Sequence, residues 1–151
     1  MKYKNILNKL EGKWIYQRTD YYTNNKKINY YQKEIQIEKK CNINQLYQEE
    51  HLIYKYEIFN RETNEKIDYI FFKPNKSNFG KIHRINNNCI NYYRFIIYSC
   101  NSIKIESVQQ NLIYKEYIYL INSKFRISIC ILKKNHKYLA TSFVSEIKIS
   151  H

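Results

Sequence analysis

Apolar and polar residues alternate along most of the chain, in short runs that contain many β-branched and aromatic side chains. This period of two is typical of strands with one buried face. Clusters rich in Asn, Ser and Lys separate the runs and supply the residues that tight turns prefer. The pattern predicts ten strands, at about 13–22, 28–39, 52–60, 67–73, 81–86, 90–99, 102–110, 112–121, 124–134 and 137–149.

Helical spacing occurs in two places. Apolar residues at positions i, i+3, i+4 and i+7 predict a short helix near 3–11, with one face formed by Tyr3, Ile6, Leu7 and Leu10. Gly12 follows and can end this helix. A second helix is predicted at 42–50, with Asn42 or Asn44 as its cap.

The order of the elements indicates the fold class. Ten short strands with tight connections and no crossover helix predict an all-β fold, an antiparallel up-and-down barrel. We expect a single domain over residues 1–151, because the chain contains neither a linker nor an internal repeat. A β-sandwich is the alternative, but it needs long crossing connections and the turns here are short. A barrel of about eight to ten strands is wide enough to hold one small ligand.

The composition supports a folded domain and excludes several function classes. Of the 151 residues, 44% are hydrophobic and 17% are aromatic, which is too much apolar surface for a disordered chain. Only 2 residues are Gly, so neither a P-loop nor a dinucleotide-binding glycine motif is present. No run of about eighteen apolar residues exists, so we expect no membrane insertion.

The formal net charge of +13 raises the question of a nucleic-acid partner. The chain is rich in Asn, Lys, Ile and Tyr and poor in Ala, Gly and Pro, which is the profile of an A/T-biased genome. The lysines are scattered rather than gathered into an arm or a tail. We therefore predict no nucleic-acid partner. A basic RNA-associated organelle protein is an alternative, which a steep salt dependence of RNA binding would support.

The cysteine and histidine residues give no sign of a metal site. No C-x-x-C pair occurs, and the four histidines lie far apart in the sequence. The start of the chain is lysine-rich and polar, without the apolar core of a secretory signal. We therefore expect a reducing compartment, with free thiols at Cys41, Cys89, Cys100 and Cys130.

The first predicted strand carries a distinctive set of side chains on one face. On a strand, Trp14, Tyr16, Arg18 and Asp20 point the same way. One interpretation is a solvated face with a tryptophan at its edge. The other is that Trp14 closes the floor of the barrel and Arg18 points into a cavity. A G-x-W segment after a short helix is also how lipocalin-type barrels begin.

The last predicted hairpin brings two opposite charges together. If Lys134 pairs with Tyr138 across a three-residue loop, Arg126 lies directly opposite Glu146 on the same face of the sheet. A one-residue shift of the loop would separate the two charges. The pair is then either an exposed cross-strand ion pair, or a cavity-facing pair suited to an anionic ligand that carries nitrogen. The geometry alone favours neither interpretation.

Segments at both ends of the chain resemble motifs of one family. Gly12-Lys13-Trp14 with Gln17-Arg18-Thr19 is similar to the G-K-W-x-S-Q-R-T opening of the S-type phycobiliprotein lyases, the CpcS/CpeS family. The run S-F-V-S-E-I-K at 142–148 resembles that family's S-F-C-S-E-I-R. Between them, F-R-I at 125–127 resembles its N-L-R-L-R segment, and E-Y-I-Y at 116–119 resembles its E-R-I-W-F stretch. The resemblance spans nearly the whole chain, in the right order.

Three positions depart from the family pattern. Ser128 and Lys148 stand where the family has arginine, and Tyr22 stands where a histidine often follows the Q-R-T motif. The loss of these basic or imidazole groups changes the expected contacts of the pocket.

The resemblance implies a ten-stranded lipocalin-like barrel that binds an open-chain tetrapyrrole (a bilin) as substrate, with no prosthetic group. The bilin, phycocyanobilin or phycoerythrobilin, is delivered to a cysteine of an apo-phycobiliprotein α or β subunit, which forms a thioether. Arginine guanidinium groups suit the bilin propionates, and a carboxylate suits its pyrrole N–H groups. The resemblance carries over Arg18, Arg126 and Glu146, with catalytic roles for Glu146 and Arg126. We predict substrate binding by Arg18, Trp14, Tyr16 and Tyr119.

Several points stay open at this stage. A non-catalytic lipocalin-like carrier of a bilin or another hydrophobic anion would use the same cavity. The sequence does not identify the bilin or the acceptor subunit, nor whether the protein forms a homodimer or a heterodimer with a related lyase subunit. The A/T-biased composition and the absence of a transit peptide indicate a plastid-encoded protein of the stroma in a red-lineage alga, with a bacterial cytoplasm as the alternative.

Overall fold

The computed structural model of the chain describes residues 4–40, 52–74 and 77–150. One short helix precedes ten antiparallel strands: α1 (Lys4–Asn8), β1 (Gly12–Tyr22), β2 (Ile28–Lys39), β3 (Leu52–Asn60), β4 (Glu65–Phe72), β5 (Phe79–Asn86), β6 (Cys89–Ser99), β7 (Ser102–Gln109), β8 (Leu112–Asn122), β9 (Phe125–Lys134) and β10 (Lys137–Ser150). Each strand pairs with its neighbours in sequence, and β1 pairs with β10 to close a barrel. The predicted all-β, up-and-down barrel with an N-terminal helix is confirmed.

Of the two predicted helices, one is shorter than predicted and the other cannot be compared with the structure. α1 ends at Asn8, earlier than predicted, and two 3.2 Å backbone hydrogen bonds from the amides of Lys9 and Leu10 extend it as a turn. The helix predicted at 42–50 lies outside the described residues. Within the described ranges, no helix combines the length and the apolar character needed to span a membrane.

An apolar core fills the end of the barrel that α1 covers. Ile6, Leu7 and Leu10 are buried against inward-facing residues near the ends of the strands, as the predicted apolar helix face requires. Three aromatic rings meet edge to face in this core, with centroids 5.8 Å apart for Tyr56 and Phe71 and 5.4 Å apart for Phe71 and Phe95. The core therefore forms a closed floor below the rest of the barrel interior.

Gly80 makes room for one of these rings. It lies on β5 directly opposite Phe95 on β6. A Cβ atom at this position would stand 2.0 Å from the carbonyl oxygen of Phe72 and 2.8 Å from the Phe95 ring. Glycine is therefore required because two neighbours occupy the space of a side chain.

The hairpin between β9 and β10 differs from the prediction in its turn but not in its result. Lys134 pairs with Lys137, not with Tyr138, because Asn135 and His136 form a two-residue turn with positive φ values of 51° and 66°. A register shift between Tyr138 and Ala140 then adds one residue to β10. The two differences cancel, so Arg126 and Glu146 are directly opposite each other, as predicted.

Candidate functional site

Above the floor, the inner face of the barrel surrounds a cavity of about 450 Å³. This volume lies in the range of about 300–1,000 Å³ that ligand pockets commonly have. Alternation along the strands points polar as well as apolar side chains inward. The wall carries four basic residues and two acidic ones, so an anionic ligand suits it. The polar lining consists of Tyr16, Arg18, Tyr31, Lys33, Tyr56, Tyr69, Arg84, Tyr93, Tyr114, Glu116, Arg126, Ser128 and Glu146.

Arg126 and Glu146 form a buried ion pair in this wall. Their residues are 7% and 4% exposed, and Nη2 of Arg126 donates a hydrogen bond to Oε2 of Glu146. The pair is therefore the cavity-facing one of the two interpretations, because an exposed cross-strand pair would lie in solvent. Burial also makes the pair sensitive to the loss of either partner.

Trp14 supports this pair from the floor. Its side chain is fully buried, and its indole Nε1 donates a 2.9 Å hydrogen bond to the carbonyl oxygen of Leu10. The guanidinium carbon of Arg126 lies 4.4 Å from the indole centroid, and Nζ of Lys148 lies 5.0 Å from it. Both distances are those of cation–π contacts. Trp14 closes the floor, but it holds Arg126 rather than lining the cavity itself.

One donor of Arg126 is left without a partner. Its Nε is buried and makes no hydrogen bond. A buried N–H group without an acceptor costs about 1–3 kcal/mol. The guanidinium therefore retains one unsatisfied donor in the wall of the cavity.

Arg18 points into the cavity as well, and three neighbouring side chains form hydrogen bonds with it. Its Nε lies 2.7 Å from Oδ1 of Asp20, its Nη1 donates to the Tyr16 hydroxyl at 3.1 Å, and its Nη2 donates to Ser142 Oγ at 3.3 Å. Burial opposes the charge of Arg18, but the bonds to Asp20 and Tyr16 outweigh it and raise its pKa. Burial likewise raises the pKa of Tyr16, so this hydroxyl stays protonated.

A second carboxyl group, Glu116, lies in the wall on β8. Its Oε2 accepts a 2.9 Å hydrogen bond from the Tyr114 hydroxyl, which is also 3.5 Å from the Cys130 sulfur. Burial is the main cause that raises the pKa of Glu116, and the nearby charge of Glu146 raises it further. The site thus holds two carboxyl groups in unlike settings. Glu146 has a cation directly on it, whereas Glu116 has a hydroxyl group.

Lys33 on β2 and Arg84 on β5 complete the set of cavity cations. Nζ of Lys33 lies 4.8 Å from the ring centroid of Tyr16 and 5.7 Å from that of Tyr31. Nε of Arg84 donates a 3.1 Å hydrogen bond to the hydroxyl of Tyr69. Burial raises the pKa of Tyr69 to about 12, which keeps that hydroxyl protonated.

The sequence-predicted site residues are not all brought together. Arg18, Tyr16, Arg126 and Glu146 line the cavity. Tyr119 does not, because it lies on the outer face of β8 with 39% of its surface exposed. The pairing of Leu120 with Arg126 directs alternate residues of β8 inward, Glu116 among them, and Tyr119 outward. Tyr119 therefore does not line the cavity.

Sequence reasoning missed Glu116, Lys33 and Arg84 as members of the site. Glu116 owes its inward direction to a register shift between Leu120 and Asn122, which places it opposite Cys130, so the turn at Asn122-Ser123 alone does not predict it. For Lys33 and Arg84 the signal is weak, because polar residues occur on both faces of their strands.

The residues that depart from the family motifs lie at different depths. Ser128 is buried in the cavity wall, so the wall lacks a guanidinium group there. Lys148 is at the floor, where its Nζ donates a 3.2 Å hydrogen bond to the carbonyl oxygen of Lys9. Tyr22 lies at the end of β1 and is 37% exposed.

The exposed thiols do not line the cavity, and the buried thiol is poorly reactive. Cys89 and Cys100 are exposed on the surface, and burial raises the pKa of the Cys130 thiol to about 11. Cys41 lies outside the described residues. In residues 4–40, 52–74 and 77–150, no three His, Cys, Asp or Glu side chains gather as a metal site would require.

Comparison with known proteins connects this barrel to one family. A chromophore lyase CpcS/CpeS homolog of Gracilaria tenuistipitata var. liui is 55% identical over 149 residues, which is 99% of each chain. The S-type phycobiliprotein lyase CPES from Guillardia theta matches the fold with a TM-score of 0.71 at 14% identity, over 98% of this chain and 93% of that one. A protein of unknown function from the DUF3598 family of Nostoc punctiforme matches with a TM-score of 0.55 at 12% identity, over 95% of this chain and 49% of that one.

The two kinds of match carry different weight. The solved structures share little sequence with this chain and support the barrel fold alone. No family model matches the sequence. The identity to the Gracilaria protein extends over the whole chain and confirms the resemblance of the end motifs. On that identity, the chain belongs to the CpcS/CpeS chromophore lyase family.

Proposed function

We propose that this protein binds a bilin in the barrel cavity and attaches it through a thioether to a cysteine of an apo-phycobiliprotein α or β subunit. The observation that carries the proposal is the buried Arg126–Glu146 pair in the wall of a cavity of about 450 Å³, in a chain of the chromophore lyase family. A bilin is a long conjugated anion with inner nitrogens, and this wall offers aromatic, cationic and carboxylate groups together.

In this proposal Glu146 accepts hydrogen bonds from the pyrrole N–H groups of the bilin. Arg126 holds this carboxylate in the wall, and Trp14 holds Arg126 from below. The three side chains are buried, and each contacts the next in the series. Such preorganisation allows the carboxylate to orient the bilin without first rearranging.

Glu116 supplies a second carboxyl group, whose role complements that of Glu146. Burial raises the pKa of Glu116, so its carboxyl group keeps its proton to a higher pH than an ordinary glutamate does. Two carboxyl groups in unlike settings are a common arrangement for acid and base roles in one site. We assign Glu116 to proton donation and Glu146 to acceptance of the pyrrole N–H bonds.

The bond-forming step is an addition and needs no oxidant. The sulfur of the acceptor cysteine bonds to the exocyclic ethylidene carbon of ring A. The π-electron pair moves to the adjacent ring carbon, which takes a proton to balance the proton lost by the thiol. The protein contributes by holding ring A for attack and by favouring the protonated, more electrophilic bilin. Its own cysteines take no part.

Co-expression tests the proposal. The chain is produced with an enzyme set that makes either phycocyanobilin or phycoerythrobilin, and with each candidate apo-subunit in turn. Covalent attachment is read as acid-stable absorbance that migrates with the acceptor subunit. We expect at least one combination to give this product, and that combination identifies the bilin and the acceptor.

Two controls separate lyase from carrier. An acceptor with its cysteine replaced by alanine must yield no covalent product. Retention of bilin by the purified chain, with no thioether in any combination, would contradict the lyase and support the carrier. Sizing the chain alone and with a related lyase subunit determines whether a homodimer or a heterodimer is the active form.

The proposed setting is the plastid stroma of a red-lineage alga, where phycobiliproteins are assembled. The support is the A/T-biased composition and the whole-length match to a protein of the alga Gracilaria. A bacterial cytoplasm is the alternative.

A further inference from the structure

Two of the four basic residues in the cavity wall are already neutralised by a carboxylate in contact. Arg18 lies on Asp20, and Arg126 lies on Glu146. Lys33 on β2 forms no ion pair with any described residue. The same holds for Arg84 on β5, within the described part of the chain.

The hydrogen-bonding groups of Arg84 are also largely unused. Its Nε donates to the Tyr69 hydroxyl at 3.1 Å, which fixes the plane of the guanidinium group. Among the described residues, neither of its Nη groups has a hydrogen-bond acceptor in contact. A guanidinium group held in this way presents an edge that binds a carboxylate through two parallel hydrogen bonds.

Lys33 is held by rings rather than by an acceptor. Its ammonium group lies 4.8 Å from the centroid of the Tyr16 ring, and in the described residues it contacts no oxygen within hydrogen-bond distance. Burial lowers the pKa of Lys33, as do the charges of Arg18 and Arg84, while the charges of Glu65 and Glu146 act in the opposite direction. Glu65, the acidic residue that acts on both Lys33 and Arg84, is exposed and accepts a hydrogen bond from Asn86.

Arg84 lies across the barrel from Glu146, whereas Lys33 lies on β2, two strands from Glu146, and is influenced by the charges of both Glu146 and Arg84. β5 is the fifth strand from β10 around the closed barrel, which places Arg84 on the side opposite Glu146. A ligand that spans the cavity therefore meets Glu146 at one side and Arg84 at the other, with Lys33 on the wall between them. A bilin has this polarity, because its nitrogens and its two propionate groups lie on opposite edges of the conjugated chain.

We propose that Lys33 and Arg84 form a carboxylate-binding subsite that takes the propionate groups of the bilin and sets its direction in the cavity. This inference rests on the proposed function, since it names the part of the same substrate that each wall contacts. It reassigns the propionates from Arg18 and Arg126, whose charges Asp20 and Glu146 already balance.

The test compares a free bilin with its dimethyl ester, in which both carboxylates are blocked. Binding to purified protein is measured by absorbance titration for the wild type, Lys33→Gln, Arg84→Gln and the double variant. Arg94→Gln is the matched control, because Arg94 lies on the outer face of the barrel with 67% of its side chain exposed. Thermal unfolding of each variant shows that it is folded.

We expect each single substitution to weaken binding of the free bilin about tenfold, and the double substitution about a hundredfold, in the range of charged hydrogen bonds. Esterification should weaken binding to the wild type and to Arg94→Gln by a similar factor. Esterification should not change binding to the double variant, because that variant no longer has a subsite for the propionates. This equality for acid and ester distinguishes a subsite from general damage to the cavity.

The other outcomes are equally decisive. A wild type that binds no bilin overturns the proposed function, and this subsite with it. A double variant that still prefers the acid to the ester by the wild-type factor places the propionates elsewhere and overturns the subsite alone. A wild type that binds acid and ester equally well also overturns the subsite and leaves the lyase proposal intact.

Discussion

Two arginine–glutamate pairs, one on each side of the barrel wall, share the same local geometry. Arg126 and Glu146 are directly opposite on β9 and β10, and Arg94 and Glu106 are directly opposite on β6 and β7. The inner pair is buried over Trp14, whereas the outer pair has an N–O distance of 3.1 Å and an arginine side chain that is 67% exposed. An isolated hairpin could not distinguish the two. Their consequences differ because closure of the barrel puts one pair in a low-dielectric wall and leaves the other in water.

The difference between the faces is greatest for apolar residues at the floor. Phe95 is fully buried inside, and Phe143 on the outer face is 49% exposed. We expect Phe95→Ala to lower the free energy of unfolding by about 3–5 kcal/mol, because it leaves a cavity among Phe71, Gly80 and their neighbours. Phe143→Ala should cost less than about 1 kcal/mol. Denaturant unfolding of both variants measures this contrast, and equal losses would contradict the assignment of the floor.

The two ion pairs should respond differently to the loss of their arginine. Arg126→Gln leaves a buried carboxylate without its cation, and we expect it to cost about 3 kcal/mol of stability. Arg94→Gln should cost less than about 1 kcal/mol, since exposed pairs contribute little. The double variant Arg126→Gln/Glu146→Gln should regain much of the lost stability, because no charge is then left unpaired. If the double variant is no more stable than Arg126→Gln, then Glu146 is not the buried charge that Arg126→Gln leaves unpaired.

The inner face should also govern the pH dependence of stability. Because the pKa of Glu116 is raised, the folded protein keeps this proton at pH values where the unfolded chain has lost it. Stability contributed by this group therefore falls as pH rises from its ordinary value towards its raised value. We expect Glu116→Gln to remove this fall and to be more stable than the wild type near neutral pH. Unfolding measured from about pH 4 to about pH 8 checks the sign.

A matched substitution on the outer surface serves as the control for that experiment. Glu106→Gln should leave the pH profile of unfolding close to that of the wild type, because Glu106 lies on the outer face. The opposite result would contradict this prediction. If the stability of the wild type rises with pH and Glu116→Gln abolishes that rise, Glu116 is ionised and stabilised in the folded protein.

The smallest expected effect concerns the thiols. Replacing Cys41, Cys89, Cys100 and Cys130 by Ser should leave bilin transfer within about twofold of the wild-type rate. The exposed thiols are away from the cavity wall, and burial keeps Cys130 protonated with a pKa of about 11. Transfer kinetics of the four single variants and the fourfold variant test this. Loss of transfer in any folded single variant would indicate a covalent bilin intermediate on this chain.

The shared face of some residues can be predicted from a single strand or hairpin. Alternation along β1 places Trp14 and Arg18 on one face, and the register of the β9–β10 hairpin places Glu146 opposite Arg126. Alternation depends on the local backbone geometry of a strand, which closure of the barrel leaves unchanged. The pairing of Arg126 with Glu146 was correct although the turn behind it was wrong. A tighter turn at Asn135-His136 and a bulge near Ala140 compensate each other, and neither leaves a clear mark in the sequence.

The residues that were missed or misplaced needed information that no single strand contains. Tyr119 was assigned by its motif, whereas its neighbour Glu116 has the inward parity. Lys33 and Arg84 meet in one cavity because β2 and β5 lie on the same closed wall, with β3 and β4 between them. On each strand alone, a basic residue among polar neighbours is indistinguishable from part of a solvated face.

The most direct test of the central claim is the rate of thioether formation by Glu146→Gln, with Glu106→Gln as the matched variant from the outer pair. Both exchanges are nearly isosteric, and circular dichroism is used to check that both proteins are folded. If Glu146 orients the bilin from the cavity wall, Glu146→Gln should lower the transfer rate about ten- to a thousand-fold, while Glu106→Gln should transfer at the wild-type rate. Transfer at the wild-type rate by Glu146→Gln would contradict the account and reduce the inner pair to a structural element of the barrel.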